Sequence, residues 1–255
     1  MSRLTCTAVV LRTRPYGESD LIIDLFTESH GRTSVIAKGA LRSKKRYMGV
    51  LELGHILKVD YLIKPQLSVL GPCDIIHSHW RLRQSLKALR QLYYILEICL
   101  VATPYEEQDT ALFQSLVELL SALESEPGLD ESYLFTWEMR LFSHLGYQVT
   151  IDRCPLSGEA PDGFSALTGG TISAKVGKPY WPVNREALRT LYRLQYHPEI
   201  EFNFESLFSS EEEQQIRHAF AGLWSAISGT SLKSLGVFET LNQQNPATPV
   251  VGMTS

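Results

Sequence analysis

Three carboxylates near the start of the chain stand four residues apart: Asp20, Asp24 and Glu28. On a helix this spacing would place them on one face, where their oxygens could bind a hard cation such as Mg²⁺. The segment around them, LIIDLF, reads instead as a β-strand, on which Asp20 and Asp24 share a face and Glu28 falls in the next turn. Surface charge is therefore the simpler interpretation, and a metal-dependent enzyme that uses Asp20 and Asp24 is kept as an alternative.

The other residues that could carry chemistry predict no catalytic centre. His77 and His79 could share one face of a strand, but a zinc site needs further ligands, and the sequence shows no third one in reach. The chain contains no G-x-x-x-x-G-K-[ST], no G-x-G-x-x-G after a strand and no G-x-S-x-G. The sequence therefore gives no support for a nucleotide-phosphate-binding loop or for a serine-hydrolase nucleophile. We expect a protein that is not an enzyme and that has no metal and no cofactor.

The strongest positive signal is a basic stretch, K-G-A-L-R-S-K-K-R, at residues 38–46, with five cations and no acidic residue. A run of like charges this dense is either solvated or faces an anion, and an ordinary basic loop is the alternative. Residues 1–80 carry 11 Lys and Arg against 7 Asp and Glu, a net charge of +4. Residues 81–255 carry 13 against 21, a net charge of −8, within a total of −4. The asymmetry predicts an anion-facing first segment on an acidic remainder.

Length and composition predict a globular protein of one or two domains, with 255 residues, 44% hydrophobic and 20% charged. The four cysteines are far apart and form no C-x-x-C pair. No signal peptide precedes them, and no apolar run approaches the roughly 18 residues that span a bilayer. These features predict a cytoplasmic protein with no membrane contact. Nucleoid association is expected in addition if the basic stretch binds DNA.

The hydrophobic pattern divides the chain into a β-rich and a helical part. Five short strands are predicted from TAVVLRT, LIIDLFT, TSVIAK, HILKVDYLI and LSVLGPC, separated by turns rich in Gly, Pro, Ser and Asp. They suggest a small barrel or sandwich, of which the five-stranded oligonucleotide-binding (OB) barrel is one member. From Trp80 the apolar period becomes helical. We predict an α+β multidomain chain with a barrel at 1–79, a helical domain at 80–240 with an irregular insertion at about 147–183, and a disordered tail at 241–255.

A basic β-barrel indicates nucleic-acid binding, because cations meet phosphate oxygens and aromatic rings stack on unpaired bases. The same β-rich segment adds arginines and tyrosines to the basic stretch: Arg3, Arg12, Arg14, Arg32, Tyr16 and Tyr47.

The order of several motifs resembles one known family. RPYGESDLIIDLFTESHGR (14–32), followed by VIAKGALRSKKR (35–46), resembles the N-terminal signature of the bacterial recombination mediator family RecO. The resemblance continues in LFSHLGY (141–147), CPLSGE (154–159) and SLKS (231–234), and so covers nearly the whole chain. It implies an OB-like barrel followed by a helical domain.

The resemblance also implies a function in DNA repair and recombination without catalysis. RecO-like proteins bind single- and double-stranded DNA, anneal complementary strands and help load RecA onto DNA coated by single-strand-binding protein (SSB). They act with RecR and, in many bacteria, with RecF. By the same resemblance the candidate DNA-binding residues are Lys38, Arg42, Lys44, Lys45 and Arg46, with Arg14 as a further candidate.

One departure from the family concerns zinc. Many members carry two C-x-x-C pairs in the insertion, but here the first pair is reduced to Cys154 and Ser157, and TISAK stands at the second position. We therefore expect a degenerate zinc-finger-like insertion without metal. The family also binds the acidic, Phe-ending tail of SSB on its helical domain, for which Arg140, Leu141 and Leu145 are our candidates.

Two functions remain open from the sequence. The first is a DNA-binding and annealing module, and the second is a protein-interaction adaptor for SSB and RecR in which DNA contacts are secondary. Replacement of Lys44, Lys45 and Arg46 by alanine distinguishes the two hypotheses. The first hypothesis predicts lost DNA affinity with partner binding kept, and the second predicts little loss of function.

Overall fold

The computed structural model describes residues 2–126, 129–147, 149–196, 207–234 and 250–251. The chain forms two compact units, Met1–Gly128 and Leu129–Ser255. Among the described residues, the first contains the predicted strands and two α-helices, and the second contains three α-helices and the insertion. Among the described helices, none is both long and apolar enough to cross a bilayer.

The first unit begins with a closed five-stranded barrel, as the alternating apolar pattern predicted. Its strands are β1 (Arg3–Tyr16), β2 (Asp20–Thr27), β3 (Gly31–Ala37), β4 (Ile56–Leu62) and β5 (Ser68–His77). They close in the order β1-β2-β3-β5-β4. Only the β3–β5 pair within this barrel is parallel. The predicted OB-like barrel is therefore confirmed.

The barrel core is made by every second side chain of each strand, because successive strand residues face opposite sides. Buried apolar residues from all five strands fill it, together with three residues of the loop after β3, among them Ala40 and Tyr47. The remaining buried members are Ala8, Val10, Ile23, Leu25, Val35, Ala37, Leu51, Leu57, Val59, Tyr61 and Leu70.

Two helices complete the first unit. The helix predicted to start at Trp80 begins instead as a 3-10 turn (Trp80–Gln84), and α1 (Leu86–Ala102) starts after Ser85. Ser85 interrupts the pattern because its side chain accepts a hydrogen bond from the amide of Ala88, which makes it an N-cap. The second helix, α2 (Thr110–Ser125), is capped in the same way by Asp109.

In the described part of the second unit, three helices pack around an aromatic core: α3 (Glu131–His144), α4 (Arg185–Tyr196) and α5 (Ser210–Ser228). Phe142 of α3 stacks on Trp224 of α5 at a centroid distance of 4.3 Å. The α5 capping box uses Ser209 and Glu212. It lies one residue earlier than the Ser210–Glu213 spacing suggests, because Ser209 has the extended backbone that an N-cap requires.

The insertion contributes three strands to a small antiparallel sheet: β6 (Gly163–Ser165), β7 (Gly170–Ile172) and β8 (Pro179–Pro182). A fourth strand from the tail, β9 (Val250–Val251), pairs with β8, and the order is β7-β6-β8-β9. Phe164 packs edge-on against Phe220 of α5, at 5.5 Å between ring centroids. The ring of Trp181 lies so close to Gly222 that a Cβ atom there would collide with it. The predicted disordered tail, 241–255, lies outside the described residues apart from the two that form β9.

Candidate nucleic-acid interface

The predicted basic stretch forms the first half of the loop between β3 and β4, and we call residues 38–46 the basic loop. All five of its cations are exposed: Lys38, Arg42, Lys44, Lys45 and Arg46. Within the described part of the chain, Lys44 and Lys45 make no hydrogen bond or ion pair. A solvated cation with no internal partner can neutralise a phosphate without first breaking a contact.

The start of the basic loop is fixed to the turn between β1 and β2. The Gly39 amide donates a hydrogen bond of 2.8 Å to Asp20 Oδ1, and the Leu41 amide donates to the Ser19 carbonyl at 2.9 Å. Gly39 has φ +68°, a conformation that a side chain would strain. The hydrogen bond from Gly39 also lowers the pKa of Asp20 below its usual value. Asp20 thus has a structural role as the loop's anchor.

The end of the loop is fixed by Tyr47, which is only 4% exposed. Its hydroxyl donates to the carbonyl of Leu70 at 3.2 Å, and its amide donates to Ser43 Oγ at 3.1 Å. The predicted stacking of Tyr47 on a DNA base is wrong, because its ring belongs to the barrel core. Tyr16, at 55% exposure, keeps its ring available.

The two arginines of the basic loop each contact a neighbouring residue, but both side chains remain exposed to solvent. Arg42 Nη2 lies 3.2 Å from Glu18 Oε2, and both side chains are largely exposed, so the pair is weak. The guanidinium of Arg46 lies over the ring of Tyr47, 4.7 Å from its centroid, and donates to the Leu70 carbonyl at 3.4 Å. The Arg46 guanidinium is therefore held near the end of the loop, whereas the Arg42 guanidinium is only weakly constrained.

Arginines in the strands have a different environment. Asp24 is fully buried, and Arg12 Nε donates to its Oδ2 at 2.7 Å, while Arg14 Nη2 lies 3.4 Å from both of its oxygens. Ser34 Oγ also donates to this carboxylate. Both candidate metal-binding carboxylates are thus engaged by protein groups, Asp20 by the Gly39 amide and Asp24 by these three side chains. This geometry gives the metal-dependent enzyme no support.

A β-bulge explains why Arg12 reaches Asp24. Val10 pairs with Leu25, both inside the barrel, but the next pair along β1 is Arg12 with Asp24. The extra residue at position 11 turns Arg12 to the outer face, because a slip of one residue exchanges the two faces of a strand. Two further strand arginines are also engaged: Arg32 stacks on Tyr105 at 3.9 Å, and Arg3 pairs with Asp60 at 2.6 Å.

Strand pairing places the remaining candidates together. Tyr16 pairs with Asp20 at the start of β2, and Leu21 pairs with Ala37 at the end of β3. The β1–β2 turn and the basic loop therefore lie at the same end of the barrel. We call the basic loop, Arg14 and Tyr16 together the barrel-end surface.

A second polar group in the first unit comes from residues distant in sequence. His77 Nε2 contacts Glu124 Oε2, and His79 Nδ1 lies 3.2 Å from the same oxygen. Burial lowers the pKa of His79 to about 4. The sequence showed the two histidines but not their partner, because Glu124 lies on α2 and follows His79 by 45 residues. We call His77, His79 and Glu124 the His–Glu cluster.

Comparison with known proteins identifies the family. Residues 1–79 match the family model described as "Recombination protein O N terminal", and residues 83–220 match "Recombination protein O C terminal". The chain belongs to the RecO family. A protein named DNA repair protein RecO from Geobacter sulfurreducens is 34% identical over 197 residues, which cover 76% of this chain and 81% of that protein. One with the same name from Myxococcus xanthus is 31% identical over 181 residues, 69% and 74% of the two chains.

The partner-binding candidates of this RecO-family chain lie on the second unit with different exposures. Arg140 is exposed, Leu145 is half-buried and Leu141 is only 2% exposed, so Leu141 packs in the core. A groove beside α4 instead combines apolar and cationic side chains on the surface. Its lining residues are Ile151, Asp152, Ala160, Pro161, Arg185, Leu188, Arg189, Tyr192 and Arg193.

Proposed function

We propose that this RecO-family chain is a DNA-binding mediator of repair that holds single- and double-stranded DNA on its barrel-end surface. One observation carries the proposal. The loop cations are exposed at an anchored position, whereas the strand arginines are engaged within the protein. A surface that presents several solvated cations on an anchored loop suits a phosphate backbone, whose binding depends on counterion release.

The chemistry of this surface favours binding without base specificity. Lysine and arginine contacts to phosphate position a strand but carry no sequence information. The exposed ring of Tyr16 can stack on an unpaired base, which adds affinity for single strands. Two complementary strands bound at neutralising cations repel one another less, and this supports the proposed annealing activity.

The mediator role extends this proposal to partners. We infer that the chain helps load RecA onto SSB-coated DNA, together with RecR and, in some bacteria, RecF. It would do so without catalysis, by binding and positioning, in the cytoplasm at the nucleoid. These roles come from the family resemblance, and the basic loop supplies their DNA-binding component.

A salt series of fluorescence anisotropy with a short single-stranded DNA tests the proposal. The variant Lys38→Ala/Lys44→Ala/Lys45→Ala removes three exposed loop charges and no core contact. Each phosphate contact contributes about 0.7 to the log–log salt slope for single strands, so we expect a slope lower by about 2 and an affinity lower by roughly 10–100-fold.

The matched control removes the same charge from other exposed lysines, as Lys58→Ala/Lys87→Ala/Lys178→Ala. If total charge alone governs binding, the two triple variants will weaken it equally. That result, or a wild-type affinity that does not depend on salt, would contradict a DNA site at the barrel end.

A second candidate function is the adaptor role, which the α4 groove favours. A partner tail with carboxylates and a terminal Phe needs an apolar pocket bordered by cations. Tyr192 and Leu188 supply apolar surface there, and Arg189 and Arg193 lie on the same helix face, one and two turns apart from Arg185. Around Arg140 the adjacent Leu141 is buried, so less apolar surface is available.

Peptide binding separates the adaptor from the DNA module. A fluorescent acidic peptide that ends in Phe should bind the loop triple variant as well as it binds the wild type. Arg189→Ala/Arg193→Ala should weaken it several-fold more than Arg140→Ala if the groove is its site. The adaptor role is favoured if the loop triple variant retains full strand annealing while Arg189→Ala/Arg193→Ala abolishes it.

A further inference from the structure

The His–Glu cluster joins the end of the barrel strand β5 to the last turn of α2, within the first unit. His77 is the last residue of β5, His79 follows two residues later, and Glu124 is the penultimate residue of α2. One potential ligand atom from each residue lies within 4.8 Å of the other two. The two imidazole rings are 4.3 Å apart between centroids. Two imidazoles and a carboxylate form a ligand set that zinc prefers.

The two histidines converge on one carboxylate oxygen. Both rings approach Glu124 Oε2, while Oε1 lies 3.4 Å from the amide of Arg81. In tetrahedral zinc sites the ligand atoms stand about 3.3 Å from one another, as follows from metal–ligand distances of about 2.0–2.1 Å. His79 Nδ1 and Glu124 Oε2 are already 3.2 Å apart.

The local fold holds His79 in an unusual conformation. Its φ is +44°, in the left-handed region that side chains disfavour, and the residue is only 1% exposed. Its Nε2 atom is buried without a hydrogen-bond partner in the described structure. A strained backbone that presents a buried ring at a polar cluster often marks a functional site.

The position of Glu124 also favours a cation. The C-terminal end of a helix carries partial negative charge, so a carboxylate in the last turn is unfavourable without compensation. No basic residue occupies the last turn of α2. A divalent ion bound to Glu124 would offset both the carboxylate and the helix dipole.

We propose that His77, His79 and Glu124 bind a zinc ion, with water as the fourth ligand. His77 is 52% exposed on its side chain, so the ion and its water can enter from solvent. The bound ion ties β5 to α2 and stabilises the first unit. This site is distinct from the insertion, where many family members carry zinc-binding cysteine pairs that this chain lacks, and it does not depend on the proposed DNA function.

Titration of the full-length metal-free protein with Zn²⁺, followed by calorimetry and thermal unfolding, tests the site. We expect one equivalent to bind, and the unfolding temperature to rise by roughly 5–10 °C when free zinc is about a hundred times its dissociation constant. His77→Gln and Glu124→Gln should each weaken binding by more than about tenfold, because loss even of an outer-shell partner has an effect of that size. His30→Gln, on the β2–β3 turn, is the matched control and should bind as the wild type does.

Cobalt distinguishes this site from binding at cysteines. Co²⁺ at nitrogen and oxygen ligands gives weak visible bands, which His77→Gln should reduce. An intense sulfur-to-cobalt charge-transfer band would place the metal at a thiolate instead and overturn the proposal. Equal zinc affinity in the wild type, His77→Gln and Glu124→Gln would overturn it as well.

Discussion

Two sets of cations in the same barrel have opposite environments. The strand set consists of Arg12, Arg14 and Arg32, which contact the buried carboxylate of Asp24 or the ring of Tyr105. The loop set, Lys38 to Arg46, is exposed, and its two central lysines have no partner within the described residues. The strand arginines are engaged by a buried carboxylate or an aromatic ring, whereas Lys44 and Lys45 of the loop have no such partner within the described residues.

The difference shows which cations the fold itself requires. A fully buried carboxylate such as Asp24 is destabilising unless cations and hydrogen-bond donors satisfy it. Arg12 and Arg14 therefore contribute to folding before they can contribute to binding. The basic loop satisfies no buried group with its lysines, so their charge remains available to an external anion.

The largest effect that this comparison predicts is on stability, from Arg12→Ala. The substitution leaves Asp24 buried with only Arg14 and Ser34 as partners, and we expect the free energy of unfolding to fall by about 2 kcal/mol or more. Chemical unfolding measures the change. DNA affinity should change less than about twofold, because Arg12 is already paired.

Arg3→Ala is the control for Arg12→Ala, since Arg3 forms an exposed pair with Asp60. It should reduce stability by less than about 1 kcal/mol. If Arg12→Ala unfolds like the wild type but binds DNA as weakly as the loop variant, then the strand set belongs to the interface and the comparison fails.

The sequence predicts the strands of this barrel but not the partners of its charges. Apolar and polar residues alternate along β1 and β2, and this pattern predicts both strands because inward and outward positions differ in polarity. The bulge between Val10 and Arg12 leaves no mark in that pattern, and without it Arg12 would face inward. Tyr47 likewise follows a polar loop, so nothing local indicates that its ring closes the core.

The His–Glu cluster shows the same limit over a longer distance. His77 and His79 are neighbours in sequence and could be recognised as a pair. Glu124 joins them only because α2 returns to the end of β5, which depends on tertiary packing. Sequence spacing finds ligands within one element, whereas a ligand from a distant element needs the fold.

A smaller effect should follow from loosening the basic loop with its charges intact. Asp20→Ala removes the acceptor of the Gly39 amide, and also one negative charge near the proposed DNA site. If anchoring matters, DNA affinity should fall by roughly threefold, although the charge change alone would raise it. Fluorescence anisotropy at a fixed salt concentration shows whether the DNA affinity falls or rises.

Asp20→Asn provides the matched control, because its amide oxygen still accepts the hydrogen bond while the charge is lost. It should bind DNA at least as tightly as the wild type.

The pKa of Asp20 is lowered by the Gly39 hydrogen bond, so the charged contact is present at neutral pH and is lost only as the pH falls through that lowered value. Loop anchoring should therefore be constant across the physiological range, and weaker binding by Asp20→Asn would contradict the anchoring role.

The smallest effect is expected for Arg14, which lies between the two sets. It belongs to the barrel-end surface, yet its Nη2 lies 3.4 Å from both oxygens of Asp24, longer than the Arg12 contact of 2.7 Å. A cation that is already shared with a carboxylate releases fewer counterions when it meets a phosphate. Arg14→Ala should therefore weaken single-stranded DNA binding by less than about threefold and lower the salt slope by less than about 0.7.

The control is Lys45→Ala, which removes a single unpaired loop cation and should lower the salt slope by about 0.7. If Arg14→Ala has the larger effect of the two, pairing does not decide which cations bind DNA, and the interface extends from the loop along the outer face of β1.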